Sequence, residues 1–103
     1  MKRLLLPLLL TALAAPNLAL ANEALAKSNG CFTCHAVDKK KMGPAYQELA
    51  KKYKGDAGAE AKITAFLSKG GKKIKIGSKE QDHKVVKGGD ADASTLAKWI
   101  LSL

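Results

Sequence analysis

Two cysteines three positions apart, followed at once by a histidine, stand at Cys31-Phe32-Thr33-Cys34-His35, and they are the only cysteines among 103 residues. Thiols at this spacing serve four chemistries. A structural zinc site needs four ligands, and beyond these three the chain offers only His83 and carboxylates. A redox dithiol opens a helix inside a strand-rich α/β fold. This composition is dominated by Ala, Leu and Lys and has no run of alternating β-branched residues. A disulfide across two intervening residues closes too small a loop to stabilise a fold much. Covalent haem attachment uses all three groups: two thiols so spaced add to the two vinyl groups of one porphyrin edge, and the next residue lies beneath the iron, within reach of an imidazole nitrogen. Cys31 and Cys34 are therefore expected to be the thioether anchors of one haem c, and His35 the proximal ligand of its iron.

The elements that must position these residues lie in a short chain whose start reads as an export signal. Residues 1–21, MKRLLLPLLLTALAAPNLALA, combine a basic start at Lys2 and Arg3, a Leu-rich centre and a small-residue ending, the pattern of a cleaved secretory signal. An uncleaved anchor would need an unbroken apolar span, and Pro7, Pro16 and Asn17 interrupt this one. The mature chain is expected to run over 22–103 as one domain, periplasmic, with no membrane span after cleavage. Haem attachment to c-type proteins takes place outside the bacterial cytoplasm, so the signal and the motif agree.

Residues 22–103 hold sixteen lysines, no arginine and nine acids, a net +7. A domain this small and charged has a thin core and needs a staple, which the cysteine pair supplies through its cofactor. Without arginine or a run of exposed aromatics, nucleic acid is not an expected partner. Lys39-Lys40-Lys41 and Lys72-Lys73-Lys75 flank loops expected near the haem and would steer acidic redox partners. Scattered lysines such as Lys51, Lys52, Lys62 and Lys69 need only solvate helix faces.

Periodicity predicts helices over 22–29, 45–53, 57–69 and 95–101, the first stopped by Gly30 in a left-handed conformation. Leu49 and Tyr53 share one face of the second. Ala59, Ile63, Phe66 and Leu67 stripe the third, which Gly70-Gly71 ends. Leu96, Trp99 and Ile100 stripe the fourth, with Asp92 or Ser94 as its N-cap. The intervening stretch of about twenty residues has little helical periodicity, but Ile74, Ile76, Val85 and Val86 give it enough apolar character to pack on a surface such as a porphyrin face.

NGCFTCHAVDKKKMGPAYQELAKKY, a helix beginning GAEA, and LAKWILSL at the end together resemble the short-chain bacterial class I monohaem cytochromes c over nearly the whole mature chain. The resemblance implies an all-α fold of about four short helices around one covalent haem, with the N- and C-terminal helices crossing beside it. That crossing would set Gly30 and Leu25 near Leu96, Trp99 and Ile100. It also implies that the Pro44 carbonyl accepts the N–H of the proximal imidazole. One feature departs from the pattern: the family's sixth ligand is a methionine in a proline-rich loop, and this chain has neither Met nor Pro beyond Pro44. His83, sixteen residues before Trp99, occupies that place and is the expected distal ligand. A solvated loop histidine, an open sixth site, Met42, or a lysine such as Lys79 or Lys84 are the alternatives. The function implied is one-electron transfer by a non-enzymatic periplasmic monomer. The other class considered is a haem protein with an open site that binds or senses a small ligand or has peroxidase-like activity, although no distal Arg or acid pair supports an enzyme.

Overall fold

The computed structural model describes residues 18–70 and 72–103, with side chains from Asn22 onward. The expected signal therefore lies outside the described residues except for the backbone of 18–21. That backbone is helical and continuous with residues 22–28, so the first helix, α1 (Leu18–Ser28), crosses the expected cleavage point. Gly30 then turns the chain at φ 74°, as the sequence predicts, and Cys31–Thr33 form one turn of 3-10 helix. Helices α2 (Tyr46–Lys52), α3 (Ala59–Lys69) and α4 (Gly89–Leu101) complete the helical set. Among the described residues no helix is long and apolar enough to cross a membrane.

Two elements differ from expectation. The stretch after α3 folds as an antiparallel hairpin, β1 (Lys73–Ile76) against β2 (Lys79–Asp82), in the register Lys73 to Asp82 and Ile76 to Lys79. Lys73-Ile74-Lys75-Ile76 is a short alternation of β-branched and polar residues, against the expectation that the chain has none, and Gly77 at φ 63° makes the tight turn. Helix α4 begins at Gly89, six residues before the expected start, so neither Asp92 nor Ser94 caps it. Gly88 stands at the cap and Gly89 takes φ 67°, while Asp90 and Asp92 place negative charge in the first turn, where the helix dipole favours it.

Helix α4 forms the spine of the core. Ala93, Leu96, Ala97 and Ile100 recur at the spacing of one helical face and are all buried. Two alanines on that face let α3 approach closely through Ile63 and Leu67, while α1 contributes Ala26 and packs Leu25 against the same cluster, the terminal-helix crossing the resemblance implies. Trp99 meets Tyr46 edge to face at 5.6 Å and Phe32 at 6.4 Å, geometries that aromatic quadrupoles favour. These contacts join α2 and the 3-10 turn to the terminal helix. The fold is mostly helical with one small sheet, and its core lies directly behind the Cys-x-x-Cys-His segment.

Candidate functional site

Cys31 lies in the 3-10 turn, Cys34 follows at its end, and both thiols are free and half-buried. The turn is held from both sides. His35 N–H donates to the Cys31 carbonyl at 3.0 Å and Gly43 N–H to the Cys34 carbonyl at 2.7 Å, so the loop 36–44 closes back over the motif. Lys41 Nζ donates to the Phe32 carbonyl at 2.7 Å and fastens the same loop. At its far end Tyr46 N–H and Gln47 N–H donate to the carbonyls of Ala36 and Val37, satisfying amides that the first turn of α2 leaves free.

His35 is fixed in three directions. Its Nδ1 lies 2.7 Å from the Pro44 carbonyl, and because a carbonyl can only accept, Nδ1 carries the proton. Tyr46, buried beneath it, stacks on the ring at 4.9 Å and 20°. Gly43 supplies the third wall: a Cβ there would stand 2.8 Å from Nδ1 and 3.0 Å from Nε2 of His35. A histidine whose Nδ1–H is so held presents the Nε2 lone pair to a metal. Burial pushes the His35 imidazole below its usual pKa, the Pro44 carbonyl opposes that shift, and His83 adds to it. Burial likewise raises the Cys31 thiol, with the Tyr46 hydroxyl and the Lys84 ammonium opposing, and raises the Tyr46 phenol well above its ordinary value.

His83 follows β2 directly, on a strap that runs to Lys87. Its ring centroid lies 6.1 Å from that of His35, with the planes at 45°. Its Nδ1 is 2.8 Å from the Lys84 carbonyl, which again leaves Nε2 unprotonated. The strap is tied down by Val86 N–H to the Leu67 carbonyl at 2.9 Å, taking up an acceptor that the end of α3 leaves free. Lys87 N–H donates to Asn29 Oδ1 at 2.9 Å, and Asn29 Nδ2 donates to the Leu25 carbonyl. The strap is thus bound to α3 on one side and to the end of α1 on the other.

The residues singled out from sequence therefore converge, and of the alternatives for the sixth position Lys84 also lies beside the motif. Met42 is 53% exposed on the anchor loop. Lys79 opens β2 as an exposed residue. The Lys84 ammonium lies over Gly30, 3.3 Å from where a Cβ would stand. Sequence reasoning missed Tyr46, Asn29 and Phe66, whose ring lies 4.6 Å from that of His83. Tyr46 directly after Gly-Pro-Ala was a usable signal, since that segment was already expected to return to His35. Asn29 and Phe66 act through contacts with the strap, which no local pattern reveals.

These residues fit a haem. Two free thiols, a glycine without which the His35 ring has no room, and two imidazoles with fixed Nδ1 protons make a donor set suited to holding a haem. The family model for cytochrome c matches residues 20–103. The chain belongs to the cytochrome c family. It is 41% identical over 96 residues to cytochrome c-552 of Hydrogenobacter thermophilus, covering 93% of this chain and 95% of that protein. Cytochrome c-551 of Pseudomonas aeruginosa is 42% identical over 80 residues, 78% of this chain and 74% of its own. The fold is similar to the crystal structure of the class 1 cytochrome MtoD from Sideroxydans lithotrophicus ES-1, with a TM-score of 0.71, 42% identity, and coverage of 80% of this chain and 91% of that one. As a small c-type cytochrome of an electron-carrier family, the chain carries haem c with its iron, bound covalently through Cys31 and Cys34.

Proposed function

We propose that this cytochrome is an exported one-electron carrier whose iron is held between His35 as proximal ligand and His83 as distal ligand. The observation that carries the reading is the 6.1 Å between the two ring centroids. Two imidazoles holding one metal between them, each bonded at about 2 Å with its ring centre about 1.2 Å further out, would have centres about 6.4 Å apart, close to the separation seen here. The Nδ1 hydrogen bonds of both rings to backbone carbonyls support the same assignment, since each leaves Nε2 as the donor.

When bound, the haem supplies a centre that takes up one electron from a donor and passes it to an acceptor. The chain holds that centre still and sets its potential. Pro44 keeps the His35 proton on Nδ1, Tyr46 and Gly43 fix the plane of the ring, and the strap brings the His83 ring within 6.1 Å of it. Residues 1–21 act as the export signal, residues 22–103 work in the periplasm as a monomer, and the lysines of the anchor loop and hairpin favour acidic redox partners.

The test is spectroscopic. Wild-type protein should lack the near-infrared band of sulfur ligation in the ferric state, and His83→Ala should convert a low-spin spectrum to one that binds carbon monoxide or cyanide rapidly. A sulfur band in the wild type, or a spectrum unchanged by His83→Ala, removes His83 from the iron. The second of these results favours a protein with an open ligand-binding site.

A further inference from the structure

Phe66 sits in the last turn of α3 between two core residues, Ile63 and Leu67, yet its own side chain is only half-buried. The ring points its contact at the distal strap. Its centroid is 4.6 Å from that of His83, with the planes at 51°, inside the range in which aromatic rings attract. The other bond holding the His83 ring, Nδ1 to the Lys84 carbonyl, comes from the next residue of the same strap and travels with it. That bond fixes the imidazole relative to the strap. Phe66 fixes it relative to a helix.

The backbone behind Phe66 is firmly placed. Gly70 N–H donates to the Phe66 carbonyl at 3.0 Å, Val86 N–H donates to the Leu67 carbonyl next to it, and the burial of Ile63 and Leu67 holds the turn against α4. An imidazole bonded to a metal through Nε2 can still turn about that bond, and it can swing away with its loop. A rigid aromatic ring packed at a fixed tilt against the imidazole resists both motions. We infer that Phe66 is the positioning residue of the distal ligand, setting the plane of the His83 imidazole and slowing its departure from iron; this rests on the proposed ligation by His83.

The two effects have separate readouts in the haem-loaded protein. The plane of the imidazole is read from the ferric electron paramagnetic resonance g-values, and its departure from the rate at which cyanide enters the ferric protein. Phe66→Ala should shift the g-values and speed cyanide binding about tenfold, the size expected from losing one good aromatic contact. Phe66→Tyr should restore both. Phe66→Leu, which keeps bulk without a flat face, should slow cyanide again while leaving the g-values shifted. In a His83→Ala background, Phe66→Ala should change the cyanide rate by less than about twofold, because there is no distal imidazole left to position.

Wild-type g-values and cyanide rates in Phe66→Ala, beside a His83→Ala protein that opens, would overturn the role of Phe66 and leave His83 on the iron. Equal acceleration by Phe66→Ala with and without His83 would also overturn it, showing that Phe66 shields the iron directly. A spectrum unchanged by His83→Ala would remove the ligation itself and this inference with it. If Phe66→Ala fails to fold, the contrast between Phe66→Tyr and Phe66→Leu decides the question.

Discussion

The rings of His35 and Tyr46 lie face to face, 4.9 Å apart and 20° from parallel, and Tyr46 in turn meets Trp99 at 5.6 Å. The His35 imidazole is thereby one ring away from the buried spine of the protein. A shift of α4 is felt at His35 through two aromatic contacts, and the orientation of His35 is set by the core as much as by its own loop.

Gly43 also borders that ring so closely that Gly43→Ala must push the imidazole off its place. The expected cost is about 1–3 kcal/mol of stability from overpacking, with perturbed His35 resonances in the haem-loaded protein. Gly77→Ala is the control. A Cβ at Gly77 meets open space, so the change there is confined to the strain of its left-handed backbone, about 1 kcal/mol, with His35 unmoved. Urea unfolding and proton NMR of the two variants measure the difference, and equal effects on His35 would refute the steric account.

His83→Met restores the ligand type of the wider family at the position proposed to hold a second imidazole. Thioether ligation raises haem potentials relative to imidazole. The potential should rise by at least about 59 mV, a tenfold change in the one-electron equilibrium constant. Potentiometric titration reads this directly, and an unchanged value would place position 83 outside the coordination sphere.

Asn29 joins α1 to the distal strap through both ends of its amide. Asn29→Ala leaves the Lys87 amide without its acceptor and should cost about 1–2 kcal/mol. Hydrogen exchange at Lys87 should quicken. Asn29→Asp keeps the acceptor and should protect that amide while losing the bond to Leu25. Protection at Lys87 that survives Asn29→Ala would show that the strap is held by other means.

Steering by the anchor loop can be tested at Lys39 and Lys40, which are exposed. Lys41 is a poor choice, because its ammonium also fastens the loop at Phe32. With Lys39→Gln and Lys40→Gln, electron exchange with an acidic partner should slow at low salt and depend less steeply on ionic strength below about 0.1 M, above which a screening length of about 10 Å or less already damps long-range attraction. Stopped-flow rates across a salt series check it. A slope equal to that of wild type would leave these lysines as solvation.

Asp56 gives a pH dependence of known sign. Its carboxylate accepts from Lys62 Nζ and from Gly58 N–H, both at 2.8 Å, and the Lys62 bond chiefly holds its pKa below the usual carboxylate value. The folded state therefore binds that proton less readily than the unfolded one, so the stabilisation is present above the ordinary value of about 4 and is lost as pH falls through the folded value. The gap in urea midpoint between wild type and Asp56→Asn should exist at pH 7 and close in strong acid. A gap independent of pH would mean that the carboxylate charge is not involved.

The helices and the haem anchor were legible because each is written locally. Ala59, Ile63 and Leu67 mark a face by their spacing alone, Gly30 marks a stop, and Cys31, Cys34 and His35 carry their chemistry within five residues. The hairpin was missed because only one strand alternates, over four residues, while Lys79-Glu80-Gln81-Asp82 is polar throughout and exposed. The start of α4 was missed because Gly88-Gly89-Asp90 reads as a turn until α3 is seen to cover Ala93. The contact of Phe66 with His83 spans a whole hairpin, and the hydrogen bond from Val86 to Leu67, with Val86 buried in the core, helps bring the two together.

That hydrogen bond also closes a circuit. The chain leaves α3 at Gly70 and comes back to the same turn at Val86, and a Cβ on Gly70 would stand 3.0 Å from Val85 and 3.7 Å from the His83 carbonyl. The departure and the return share one point, so the length of the excursion between them is geometrically free. Matched insertions of two residues in β1 and β2 would carry the Gly77 turn further out without changing the register in which His83 arrives. The hairpin is thus a detachable face of the molecule, one whose charge and reach can be rewritten to suit a different redox partner while the iron site behind it stays as it is.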